Sequence, residues 1–211
     1  MKAYIFDLDG VIVHTDKYHY QAWKKLADRL GIYLDEEINN RLKGVSRMDS
    51  LEIVLEKSET IYSVQEKEKF AEEKNSIYRS LLETMKPSDV SNEVRKTLGE
   101  LRERGHKLAI GSSSKNTKFI LRQVGLTDWF DAVSDGTNIS RSKPDPEVFL
   151  KAAQMLGEEP ENCIVVEDAC AGIDAAKSGN ICAAGLGDAA VYEKTDYPIK
   201  EIVELLNLPE I

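Results

Sequence analysis

The chain has 211 residues, with 28 Lys and Arg against 37 Asp and Glu, for a net charge of −9. That length suits one large domain or two small ones and buries about 70% of the unfolded surface, so folding needs no disulfide or metal staple. The acidic balance excludes a general nucleic-acid binder, which needs a basic face, but leaves room for an anionic substrate in a local basic pocket.

The run Lys2–Asp7 is apolar and ends on an acid, which predicts a first strand. From about Asp16 to Met85 the patterning predicts helices only. Trp23, Ala27 and Leu30 share one helical face that stops near Gly31. Ser46 and Asp49 resemble a capping pair ahead of Leu51, Ile53 and Val54, and Ser63 with Glu66 forms a capping box that opens a long Glu- and Lys-rich helix. Beyond it, strands and helices alternate. Val94, Leu98 and Leu101 mark a helix closed at Gly105, and Lys107–Gly111 is a strand. Phe119, Ile120 and Val124 precede a stop at Gly125, and Asp131–Ser134 is strand-like. Asp145 reads as an N-cap, with Pro146 as the first residue of a helix ending at Gly157. Cys163–Val166 and Ile181–Ala184 are further strands.

Several of these runs are continuously apolar, as in a sheet covered on both faces. The order predicts an α/β fold: a Rossmann-like, doubly wound parallel sheet core over 1–14 and 87–211, with an inserted all-helical cap over 15–86. Val13–Asp16 and Lys86–Asp89 are the expected hinges. Asp7 and Asp9 interrupt the N-terminal apolar run too early for a signal peptide. No run approaches the ~18 apolar residues that span a bilayer. Cys163, Cys170 and Cys182 show no C-x-x-C spacing and read as reduced thiols of a cytoplasmic protein, with Cys163 and Cys182 buried in strands.

Four motifs carry chemistry. Asp7-Leu-Asp9-Gly10 follows the first strand, at the end where open α/β sheets bind ligands; Gly10 supplies the turn that lets both carboxylates serve one site. Gly111-Ser112-Ser113-Ser114-Lys115-Asn116 puts hydroxyl and backbone donors at a strand-to-helix turn, suited to an oxyanion. Ser142-Lys143-Pro144-Asp145-Pro146 aims an ammonium from an extended residue before proline. Val165-Val166-Glu167-Asp168 ends a strand on two acids, and oxygen-only ligands favour Mg²⁺. Each motif alone is more often a surface acid, a helix cap or a turn lysine. Their joint order supplies a nucleophile, a phosphate cradle, a charge-neutralising Lys and a metal site.

In this order the motifs resemble the haloacid dehalogenase superfamily of aspartyl-phosphate enzymes over nearly the whole chain. Asp9-Gly-Val-Ile-Val-His-Thr15, His19-Tyr-Gln-Ala-Trp23, Leu42-Lys-Gly-Val-Ser-Arg47 and Lys74-Asn75 are similar, more narrowly, to the β-phosphoglucomutase family. The resemblance implies Mg²⁺-dependent interconversion of β-D-glucose 1-phosphate and glucose 6-phosphate, through an aspartyl phosphate and glucose 1,6-bisphosphate. It also implies a monomer acting on a small sugar phosphate, with no nucleic-acid or membrane partner. Asp7 would be the nucleophile and Asp9 the acid/base, with Thr15 and His19 positioning it; Ser112 and Lys143 would hold the transferring phosphoryl group. Asp7, Asp9, Glu167 and Asp168 would hold the metal. Trp23, Lys43, Gly44, Val45, Ser46, Arg47, Lys74, Ser114, Lys115 and Asn116 would line the sugar and its distal phosphate.

Three features depart from the family pattern: His14, Ser113 in place of alanine, and Ser91-Asn92-Glu93 in place of a Pro-Gly turn. Two other readings stay open. A phosphatase on the same core would use water as acceptor. A phospho-receiver domain would also combine an acid pair, Mg²⁺, a hydroxyl and a Lys, though the length and the inserted helices count against it.

Overall fold

The computed structural model describes residues 3–42 and 46–209. The described residues fall into two compact units, one drawn from 1–14 and 86–211 and the other from 15–85. The first is built on strands β1 (Ala3–Phe6), β2 (Lys107–Gly111), β3 (Ala132–Ser134), β4 (Cys163–Glu167), β5 (Cys182–Gly185) and β6 (Tyr197–Pro198). Among the described residues they form one six-stranded sheet in the order β3-β2-β1-β4-β5-β6, and every pair is parallel. The chain winds outward from β1 through β2 to β3, then returns across β1 to β4. That reversal creates the switch point at which such sheets bind ligands, beside the C-terminal ends of β1 and β4.

β1 and β4 are buried along their whole length, because helices cover both faces and leave no solvated side to alternate toward. α5 (Asn92–Glu103), α6 (Thr117–Gln123), α7 (Glu147–Leu156) and α8 (Cys170–Ser178) supply that cover. On one face Ala3, Ile5, Val165 and Ala183 pack with Val148, Phe149 and Ala152 of α7 and Ile173 and Ala176 of α8. Each fully buried Ile or Phe contributes roughly 1.5–3 kcal/mol.

α7 begins one residue later than the sequence predicts. Pro146 is its N-cap rather than its first helical residue, and Asp145 Oδ1 accepts the Glu147 N–H at 3.0 Å across an Asx turn leading into the helix. Cys163 is buried, but Cys182, the first residue of β5, is only half-buried, and Cys170 is exposed; all three are free thiols. β6 has two residues, one of them a proline, and carries no periodic signal.

The second unit is helical among its described residues: α1 (Asp16–Leu30), α2 (Glu36–Asn40), α3 (Arg47–Leu55) and α4 (Val64–Leu82). α1 ends at Gly31, whose φ of 70° is the left-handed conformation of a helix stop. The Ser63–Glu66 capping box forms in both directions, with Ser63 N–H donating to Glu66 Oε2 at 2.8 Å and Glu66 N–H to Ser63 Oγ at 3.3 Å. Ser46 Oγ accepts the Asp49 N–H at 3.2 Å to start α3. α2, absent from the sequence reading, starts on Asp35, which accepts the Ile38 N–H at 2.9 Å. Trp23, Leu26 and Ala27 of α1 join Leu51 and Val54 of α3 and Ala71 of α4 in one apolar cluster. No described helix is long and apolar enough to cross a membrane.

Candidate active site

β1 delivers its acid by running out of apolar sequence. Asp7 continues the ladder, its N–H bonded to Val166 O at 2.9 Å, and its side chain is almost fully buried. The chain then turns back on itself. Gly10 takes φ 90°, its N–H bonds to Val13 O at 2.7 Å, and Ile12 N–H bonds to Leu8 O at 3.0 Å. The turn needs glycine twice over, for that φ and because a Cβ there would lie 1.9 Å from Asp168 Oδ2. The Asp168 carboxylate therefore rests against the loop that carries half-buried Asp9.

Lys143 reaches Asp7 Oδ1 at 2.5 Å and Glu167 Oε1 at 2.6 Å, across 136 and 24 residues of sequence. Burial opposes the charge on Lys143, but Asp7 and Glu167 outweigh it and raise the pKa above the ordinary lysine value. Asp7 is held well above the usual carboxylate range. Burial pushes it up, Lys143 only partly offsets this, and Glu167 and Asp9 push it further. Glu167 is fixed by its own loop: Oε2 accepts the N–H groups of Asp168 and Ala169, both at 2.9 Å. Gly172, in the first turn of α8, makes room for it; a Cβ there would sit 1.9 Å from Glu167 Oε1. The sequence reading passed over this glycine, whose only signal is its place five residues after an acid that ends a strand.

The serine loop follows β2. Ser112 is buried, its N–H bonds to Ser134 O at 3.1 Å, and its Oγ accepts the Ser114 N–H at 3.2 Å. Ser114 Oγ accepts the N–H of buried Asn116 at 3.2 Å, while Lys115 is exposed. Ser113, the departure from the family pattern, accepts the Lys143 backbone N–H on its Oγ at 3.4 Å.

In the helical unit a second cluster forms on α1, α3 and α4. Lys74 is buried, with Nζ 2.9 Å from His19 Nδ1 and over the rings of Trp23 at 4.7 Å and Tyr78 at 4.8 Å. The spacing explains it: His19 and Trp23 are four apart on α1, and Lys74 and Tyr78 four apart on α4. The His19 ring packs on Tyr78 with centroids 4.1 Å apart. Burial, then the charges of Lys74 and Arg47, hold His19 well below the ordinary imidazole pKa. Arg47 opens α3 and donates from Nη2 to Asn75 Oδ1 at 3.0 Å, and burial lowers its pKa. Thr15 is fully buried at the N-cap of α1. Lys43, Gly44 and Val45 lie outside the described residues.

The core cluster fits a hard divalent cation. Asp7, Asp9, Glu167 and Asp168 outnumber Lys143; burial first, and then the neighbouring Glu167 and Asp9, raise the Asp7 pKa. The candidate donors are all oxygens. Among the described residues, no three His, Cys, Asp or Glu side chains close into a metal cage. Mg²⁺ needs no such cage, since it binds through one or two carboxylates and keeps its remaining positions for water and phosphate.

The family described as haloacid dehalogenase-like hydrolase matches residues 1–180. The β-phosphoglucomutase of Bacillus subtilis is 40% identical over 207 residues, covering 97% of this chain and 92% of its own length. The phosphorylated carbohydrates phosphatase of Thermotoga maritima is 32% identical over 184 residues, 86% of this chain and 82% of its own. Among solved structures, a β-phosphoglucomutase from Clostridium difficile matches with a TM-score of 0.88 at 40% identity, covering 97% of this chain and 93% of that one. Strand order, buried acids and sequence likeness thus agree that this enzyme belongs to the haloacid dehalogenase-like hydrolases and, within them, to the β-phosphoglucomutase family.

Proposed function

We propose that the enzyme interconverts β-D-glucose 1-phosphate and glucose 6-phosphate as a Mg²⁺-dependent cytoplasmic monomer. The observation that carries the phosphoryl-transfer chemistry is the buried Asp7 carboxylate bridged by Lys143 to Glu167. Asp7 attacks phosphorus, the bond to the departing sugar oxygen breaks, and Asp9 gives that oxygen a proton. Asp9, now ionised, takes the proton of the next sugar hydroxyl as it attacks the aspartyl phosphate. Glucose 1,6-bisphosphate forms within the site and returns its other phosphate to Asp7. Lys143 and Ser112 hold the phosphoryl oxygens, where charge is the main demand of this chemistry. Asp7, the Asp9 backbone carbonyl, Glu167 and Asp168 would hold Mg²⁺, with Glu167 also fixed by Lys143 and its own loop. Bound there, Mg²⁺ supplies charge neutralisation to the phosphoryl oxygens.

The preference for a mutase rests on the 40% likeness to the Bacillus enzyme and on Arg47 beside Lys74-Asn75, a basic cluster suited to a distal phosphate. The Thermotoga phosphatase likeness favours a second reading, with water as acceptor. Incubation with β-glucose 1-phosphate, Mg²⁺ and a trace of glucose 1,6-bisphosphate separates them. The mutase yields glucose 6-phosphate with little free phosphate; release of phosphate at the rate of substrate loss would establish the phosphatase.

A further inference from the structure

Lys143 is held by more than its two carboxylates. Its Nζ lies 4.6 Å from the centroid of the Phe149 ring, over that ring. Phe149 is fully buried and sits in the first turn of α7, with its N–H bonded to Pro146 O at 3.0 Å. The ring occupies space that β2 leaves for it. A Cβ on Gly111 would lie 2.6 Å from Phe149 Cδ1, 2.9 Å from Cε1 and 3.0 Å from Ile5 Cγ2. The ring is thus wedged among β1, β2 and the lysine, beside Gly111, which immediately precedes Ser112, and Ile5, which lies two residues before Asp7. A lysine stem is flexible, and two acceptors alone leave its head free to swing about the line between them. An aromatic face offers a cation electrostatic attraction where water is excluded, without claiming a directed hydrogen bond.

We infer that Phe149 is a positioning residue for phosphoryl transfer: its ring, seated over Gly111, holds the Lys143 ammonium against Asp7 and Glu167. This rests on Lys143 serving the transferring phosphoryl group as proposed above. With Asp7 and Glu167 taking two of the three N–H groups and the ring closing another side, the last N–H is left for a phosphoryl oxygen.

The test keeps the shape of the ring and changes its electron density. Phenylalanine with one, two and three ring fluorines is placed at position 149 of the full chain, and hydrolysis of acetyl phosphate is followed with Mg²⁺. Fluorine barely enlarges the ring but withdraws charge from its face. The kcat should fall stepwise, by about 5-fold with three fluorines and by about 10- to 30-fold in Phe149→Leu, while KM changes little. A packing role alone gives no trend across the fluorinated series, and a flat series would overturn the inference. A urea double-mutant cycle of Phe149→Leu with Lys143→Met reads the contact without turnover. Coupling of about 3-fold or more in the unfolding constant supports it, and additivity overturns it. If the wild-type chain turns over no phosphate ester, the proposed function fails, and the cycle still decides the role of the ring.

Discussion

The two charged clusters are built with opposite surpluses. In the core unit one lysine stands among four carboxylates, and Asp7 is pushed up in pKa by burial and by its neighbours Glu167 and Asp9. In the helical unit Lys74 and Arg47 surround an imidazole, and His19 is pushed down by burial and by those two charges. The same desolvation acts in both places; the sign of the residual charge decides the rest. Each set is distorted in the direction that its complement would relieve, the core by a divalent cation and the helical unit by an anion. On the proposed function, Mg²⁺ would supply the first and a phosphate group of the sugar the second.

The largest break is at the core acid. Asp7→Asn keeps shape but removes the nucleophile, and turnover should fall by 10⁴-fold or more, on the order seen when a covalent nucleophile is deleted. The check is a steady-state rate on the purified, folded variant; retention of even a tenth of the activity would take Asp7 out of its assigned role.

The metal prediction is next in size. Mg²⁺ at about 100 times its Kd should stabilise the wild-type chain by ~2.7 kcal/mol, raising Tm by roughly 5–10 °C. Asp168→Ala should lose most of that shift together with turnover. Melting curves with and without MgCl₂ and EDTA read both, and turnover indifferent to EDTA would exclude the metal assignment.

The helical unit responds more weakly, and to pH. The unfolded chain binds a proton at His19 near pH 6.5, whereas the folded one resists it. Stability from this group is therefore present above pH 6.5 and lost as pH falls, by about 1 kcal/mol at roughly pH 5.5. His19→Gln should flatten that part of the profile in urea titrations between about pH 7.5 and 5.5. An unchanged slope would mean that His19 takes its proton in the folded state as readily as in the unfolded one.

The sequence was most legible where one residue type has one physical use. Continuous apolar runs ending on acids located β1 and β4, and both capping serines marked their helices. It was least legible where a residue matters for what it meets in space. Gly111 and Gly172 make room for Phe149 and Glu167, and Phe149 reads as ordinary core from its helical spacing. Short elements failed for a different reason: α2 has five residues and β6 two, too few to show a period. The acids and serines of the core cluster stand out in the sequence because they fall at strand ends, and Lys143 because it stands before Pro144 at the approach to a helix. The aromatic cage around Lys74 was half-readable, since four-residue spacing pairs His19 with Trp23 and Lys74 with Tyr78 but does not say that the two pairs meet.

The central claim is that the basic cluster of the helical unit grips a second phosphate that the core chemistry does not touch. Arg47→Ala tests it on two substrates. A guanidinium–phosphate contact is worth roughly 1.5–3 kcal/mol, or about 10- to 150-fold. The account predicts a loss of that size in kcat/KM for β-glucose 1-phosphate, with hydrolysis of acetyl phosphate, which has no distal phosphate, nearly unchanged. Equal losses on both substrates, or no loss on either, would contradict it.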